Sequence, residues 1–214
     1  FPVPLAMACT WNPKTVEKAQ RIAAEEASIS GICWTFAPML DIARDPRWGR
    51  IVEGFGEDPY LDSVMAVASV EGFQGKRLSD DGNIMACAKH YVGYGDVQAG
   101  REYYTVDLSK RTLWNIYMPP FKAAVDAGVS SIMPAFTTMN DVPMSANEKL
   151  LNGVLRDQWN FNGIIVSDWG AIHELINHGV ATNDLEATKL AINAGIDIDM
   201  MSGDYMNYLT ELVK

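Results

Sequence analysis

The chain has 214 residues, enough for one domain with a real core, and its 48% hydrophobic and 21% charged residues are ordinary for a globular protein. Its formal net charge of -10 argues against a nucleic-acid surface, which needs clustered Lys and Arg, and against insertion at an anionic membrane. A neutral substrate suits that charge, and no apolar run approaches the roughly 20 residues of a membrane span. Cys9, Cys33 and Cys87 have no metal-ligand spacing and cannot make a disulfide framework, so they read as small buried hydrophobes. Phe1-Pro2-Val3-Pro4 shows no signal-peptide pattern, which leaves the leader of a parent protein open.

In chain order, Asn12-Pro13 predicts a capped helix start, and Val16, Ala19, Ile22 and Ala23 supply its stripe. Cys33 to Ala37 reads as a strand stopped by Pro38, Pro59 to Gly75 as a helix, and Asn83 to Ala88 as a buried strand. Ser109 caps a helix carrying Leu113, Ile116, Phe121 and Ala124, and the apolar run Ser131-Ile132-Met133 follows. Ser145-Ala146-Asn147-Glu148 has the capping-box pattern and launches Leu150, Leu151, Val154 and Leu155. Gly163 to Val166 is the clearest strand. A helix from Asp184 to Ala194 ends at Gly195, Ile196 to Met200 is the last strand, and Tyr208 to Lys214 is amphipathic.

Apolar strands alternating with helices predict an α/β protein of parallel βα units. A doubly wound sheet would carry a glycine-rich turn after its first strand, and no G-x-G-x-x-G occurs. The strands end instead in polar residues, as the C-terminal mouth of a (β/α)8 TIM-type barrel does. Five strands do not close such a barrel, so residues 1–214 are expected to be part of one barrel domain whose other units lie outside the chain.

Three segments could carry chemistry. Asp168 stands at the mouth of the strand Gly163 to Val166, where it is a nucleophile, a base, a metal ligand or simply a helix cap. Lys89-His90 follows another apolar strand, and two donors there could grip vicinal hydroxyls. The loop Asp41 to Arg50 packs three Arg, two Asp and one Trp into ten residues; Arg–Asp pairing could stiffen it while one guanidinium points at a ligand.

Phe36-Ala37-Pro38-Met39-Leu40-Asp41, Arg44-Asp45-Pro46-Arg47-Trp48-Gly49-Arg50, Glu53-Gly54-Phe55-Gly56-Glu57-Asp58-Pro59, Ala88-Lys89-His90 and Val166-Ser167-Asp168-Trp169 together resemble the family 3 glycoside hydrolases. Tyr117-Met118-Pro119-Pro120-Phe121 and Leu155-Arg156-Asp157-Gln158-Trp159 resemble their bacterial periplasmic β-glucosidase branch in particular. The resemblance implies a retaining hydrolase of terminal β-glucosyl or related residues, acting through a covalent intermediate on Asp168. It implies that Arg50, Lys89 and His90 hold the sugar, that Trp169 walls the aglycone side, and that neither cofactor nor metal is needed. It also implies a periplasmic or secreted parent. On this reading the cationic neighbours of Asp168 lower its pKa.

Two departures matter. In glucosidase-type members the acid/base is a Glu from a following α/β sandwich domain, beyond this chain, so the isolated 214 residues are expected to be inactive. The aminosugar branch carries a His where Glu102 falls here, and a Tyr of the family is replaced by Phe136. Two rival readings are a non-catalytic sugar-binding module on the same pocket and a metal-dependent hydrolase using Asp168, His90 and His173. The second lacks any His-x-His or His-Glu-x-x-His spacing.

Overall fold

The computed structural model describes residues 1–214. After the short α1 (Pro4–Ala8), α2 (Pro13–Ile29) begins as its sequence predicts: the Asn12 side chain accepts a hydrogen bond from the Thr15 amide at 3.3 Å, and Pro13 needs no partner in the first turn. The helix α3 (Pro59–Gln74) repeats the device with Asp58, which accepts from the Leu61 amide at 2.7 Å. It is apolar nearly all round and buries Met65, Ala66, Val70 and Phe73. At Gly72 a Cβ would stand 2.6 Å from the Glu17 carbonyl oxygen, so a side chain there would push α2 and α3 apart.

Three strands, β1 (Cys87–Tyr91), β2 (Ser131–Pro134) and the short β5 (Ile164–Ile165), pair in parallel in sequence order. Two further extended runs flank them. Residues 33–39 lie parallel to β1 through Trp34–Met85 and Met39–Lys89, and Val166 bridges Ile198 on the far side. Five parallel runs therefore neighbour one another in chain order, with helices between them. A doubly wound sheet would reverse its order at a switch point, and none occurs. This is the arc of a TIM-type barrel.

Strand alternation sorts the side chains into two layers. Ala88, Ile132 and Ile165 join the main core under the helices, whereas Cys87, Met133 and Val166 form a separate buried cluster with Trp34 and Met200. That second layer is the barrel interior. Continuing its parity past Val166 carries Asp168 toward the C-terminal mouth.

Between β1 and β2 the chain forms α4 (Lys110–Thr112), a π-wound segment Leu113–Tyr117 and α5 (Met118–Asp126), capped by Ser109 at the Thr112 amide as expected. A hairpin of β3 (Thr138–Met139) and β4 (Val142–Pro143) follows β2 and was not expected from periodicity. Its turn residues, Asn140 and Asp141, have φ of 49° and 68°, the left-handed geometry these two residues tolerate. The π-wound helix Lys149–Gln158 starts later than the capping box implies. Asn147, not Ser145, accepts from the Leu150 amide at 3.1 Å, because Ser145 is already committed to a 3-10 turn. The last helices are α6 (Glu174–Asn177), α7 (Asp184–Ala194), which stops at Gly195 with φ 102°, and α8 (Asp204–Leu212).

Two expectations are corrected. The strand expected at residues 83–88 runs instead as Cys87–Tyr91, since the ladder continues through Lys89 and Tyr91, past the polar pair. Of the cysteines only Cys87 is buried; Cys9 and Cys33 are exposed, and all three are free thiols. No helix is long and apolar enough to cross a membrane.

Candidate active site at the strand mouths

The register of β1 slips between Lys89 and Tyr91, which brings two successive residues, Lys89 and His90, to the same strand mouth. His90 is held by Asp41, which follows the neighbouring extended run. One carboxylate oxygen, Oδ2, accepts from the His90 amide at 3.1 Å and lies 2.7 Å from Nδ1. Both side chains are almost wholly removed from solvent, at 1% and 0% exposure. The Asp41 contact places a proton on Nδ1 and turns Nε2 toward the open side.

On that side Nε2 lies 3.5 Å from Asp168 Oδ2 and 3.5 Å from Arg50 Nη2. The Arg50 fork is fixed by Glu53, with Nε to Oε1 at 2.8 Å and Nη2 to Oε2 at 2.9 Å. This contact raises the Arg50 pKa and lowers that of Glu53, so both stay charged. A second carboxylate, Glu102, accepts from Trp48 Nε1 at 2.6 Å and from the Tyr94 hydroxyl, and lies 3.6 Å from Arg50 Nη1. The expected loop pairing is present as well: Asp45 and Arg47 form an exposed fork, leaving Arg50 to turn inward.

Asp168 is buried, with 8% of its surface exposed. Its Oδ1 accepts from the Trp169 amide at 2.7 Å, while Oδ2 is buried without a hydrogen-bond partner. The cationic neighbours do lower its pKa, as expected, but they do not decide its net shift. Burial is the larger effect and raises it, and His90, the Trp169 amide, Lys89 and Arg50 only partly oppose the rise. An unpartnered carboxylate oxygen beside an imidazole is a poor way to stabilise a fold.

The structure thus brings Arg50, His90 and Asp168 into one cluster. Lys89 is half-buried with no salt bridge, and its charge acts on both Glu53 and Asp168. Lys89 and Glu53 also line a cavity of about 300 Å³ with Phe36, Met39 and Phe55. The Trp169 side chain stands at the mouth, 63% exposed. His173 does not join His90 and Asp168. It pairs with Asp184 at 2.7 Å, so the trio of the metal-hydrolase reading is not assembled.

Four site residues were not picked out from sequence as such. Asp41 and Glu53 lie in the motifs and Glu102 in the loop after Lys89-His90, but which donor each would meet is a matter of folding. The fourth is Tyr103, which packs its ring on Phe136 with centroids 4.5 Å apart. The Tyr103 pKa is raised by partial burial and then by Glu174, Asp168 and Glu102, with Arg50 opposing, so its phenol belongs to the field of this cluster.

The model of the "Glycosyl hydrolase family 3 N terminal domain" matches residues 1–214. The chain belongs to this family. It is 46% identical over 214 residues to a periplasmic beta-glucosidase of Salmonella typhimurium, covering 100% of this chain and 28% of that protein. It is 40% identical to a beta-xylosidase of Formosa agariphila, covering 100% of this chain and 31% of that protein. Among solved structures, a beta-glucosidase from Listeria innocua in complex with glucose superposes with a TM-score of 0.98 at 42% identity, covering 100% of this chain and 30% of that one. The chain therefore spans under a third of the length of these relatives, all of them glycoside hydrolases.

Proposed function

We propose that this chain supplies the nucleophile and much of the sugar-holding surface of a retaining β-glycosidase, with glucosides as its substrates. The observation that carries the reading is the buried, unpartnered Oδ2 of Asp168, 3.5 Å from His90 Nε2. In the first step Oδ2 forms a bond to the anomeric carbon as the glycosidic C–O bond breaks, and an acid delivers a proton to the departing oxygen. In the second step water attacks the same carbon, returns its proton to that acid, and frees Asp168. The two carboxyl groups of such a pair stand about 5–5.5 Å apart. The proposal assigns the acid to a Glu from another part of the parent protein, in an α/β sandwich domain following this one, and expects no turnover from residues 1–214 alone.

On this reading Arg50 and Lys89 donate to sugar hydroxyls, and His90 offers them its Nε2. Contacts that tighten as the ring flattens lower the barrier, whereas those equal in both states only improve binding. The exposed indole of Trp169 offers an apolar face to the leaving group. Solved relatives from Listeria innocua are complexes with glucose and, in a mutant, laminaribiose, which supports a β-glucoside or β-linked oligosaccharide here. The periplasmic relative supports a periplasmic or secreted parent.

The test is turnover of an aryl β-glucoside by the full-length protein and its Asp168→Ala variant. The proposal expects loss of at least ~10³-fold in kcat, as for other nucleophile removals. An unchanged rate refutes it.

A further inference from the structure

A second cluster lies on the α7–α8 side of the loop that leaves Asp168. His173 sits in that loop, Asp184 is the first residue of α7, and Asp204 is the first residue of α8. One ligand atom from each falls within 4.8 Å of the others. Acidic residues in a first helical turn are commonplace, because the helix dipole favours them. That explanation fails for Asp204. Its side chain is buried, at 3% exposure, yet Oδ2 has no hydrogen-bond partner. The capping role at α8 is already taken: Asp199 accepts from the Ser202 and Tyr205 amides, both at 3.2 Å.

The charges around it are unbalanced. The charges of Asp184 and Asp199 both act on Asp204, and no Lys or Arg pairs with any of the three; His173 is the one basic partner, at 2.7 Å from Asp184. Tyr208 donates to Asp184 Oδ2 at 3.5 Å, and Ser202 accepts from the His173 amide at 3.4 Å, so the exposed His173 and the half-buried Asp184 are each steered by a neighbour. A buried carboxylate without a partner, among other carboxylates, is in a position that a cation would satisfy.

We propose that His173, Asp184 and Asp204 form a site for a divalent transition-metal ion of the Zn²⁺ or Mn²⁺ kind. One imidazole with two carboxylates suits these ions, whereas Ca²⁺ and Mg²⁺ prefer oxygen ligands alone. The ion's role is structural. It ties the segment after Asp168 and Trp169 to the starts of α7 and α8, and turnover does not require it.

Zn²⁺ is the probe. Full-length protein freed of metal with a chelator is titrated calorimetrically with Zn²⁺, and thermal unfolding is followed with and without the ion. The expected result is a saturable site and a rise in Tm with Zn²⁺. Asp204→Asn and, at the exposed residue, His173→Gln each weaken binding at least tenfold, and Ca²⁺ binds at least tenfold more weakly than Zn²⁺. Unfolding of both variants in chelator verifies that they fold, and His173→Gln alone decides if Asp204→Asn does not. Absence of saturable Zn²⁺ binding, unchanged binding by the folded variants, or a preference for Ca²⁺ overturns the proposal.

Discussion

Replacing Asp41 tests how the site orients His90. Asp41 Oδ2 receives two donors from His90, the amide at 3.1 Å and Nδ1 at 2.7 Å, and Oδ1 is buried with no partner. In Asp41→Asn the charge-assisted bond of about 1.5–3 kcal/mol becomes a neutral one of about 0.5–1.5, a loss of about 1–1.5 kcal/mol. The amide nitrogen also meets no acceptor at the Oδ1 position, which costs about 1–3 kcal/mol more. Stability should therefore fall by about 2–4.5 kcal/mol. If the orientation part is fully expressed in the transition state, kcat/KM falls about 5–12-fold. Asp41→Ala leaves both His90 donors buried and unpaired, about 2–6 kcal/mol, a large share of a total near 5–15 kcal/mol. Urea unfolding and aryl β-glucoside kinetics on the full-length protein measure both effects. An Ala variant within about 0.5 kcal/mol of the wild type, or an Asn variant with unchanged kcat/KM, refutes the reasoning.

Asp168 has a folded-state pKa above its ordinary 3.8, so the native state holds its proton more tightly than the unfolded chain does, and stability falls as pH rises through that range. Asp168→Asn should then unfold at the same or a higher temperature near neutral pH while losing turnover, and the acid limb of kcat/KM should lie above 3.8. Gly72→Ala places a Cβ 2.6 Å from the Glu17 carbonyl and should cost about 1–3 kcal/mol in denaturant unfolding with kcat unchanged. Asp204 is raised to about 6 by burial and by Asp184 and Asp199; with metal removed, stability falls as pH rises from about 4 to about 6, and Asp204→Asn should flatten that fall.

Local signals carried the helix starts. The Asn12-Pro13 cap acts within four residues and forms where the pattern puts it, and the helix expected from Pro59 starts there, behind an Asp58 cap. Apolar runs located the parallel strands, but β1 was displaced because periodicity reads the polar Lys89 and His90 as lying beyond the strand's end. Ser145 and Asn147 compete for one cap, and the 3-10 turn that decides between them is set by packing. Motifs made Arg50, Lys89, His90, Asp168 and Trp169 candidates. What sequence could not supply is pairing across distance: Asp41 with His90, 49 positions apart, and Trp48 with Glu102, 54 apart. The pKa of Asp168 was misjudged for the same reason, since charges are visible in a sequence and burial is not.

The central claim is that Asp168 attacks the sugar. A 2-deoxy-2-fluoro-β-glucoside with a good leaving group slows the second step and leaves the glycosyl-enzyme to be mapped by peptide mass spectrometry. On full-length protein the account predicts one label per chain, on Asp168, formed with loss of activity. A label on any other carboxylate of an active enzyme contradicts it.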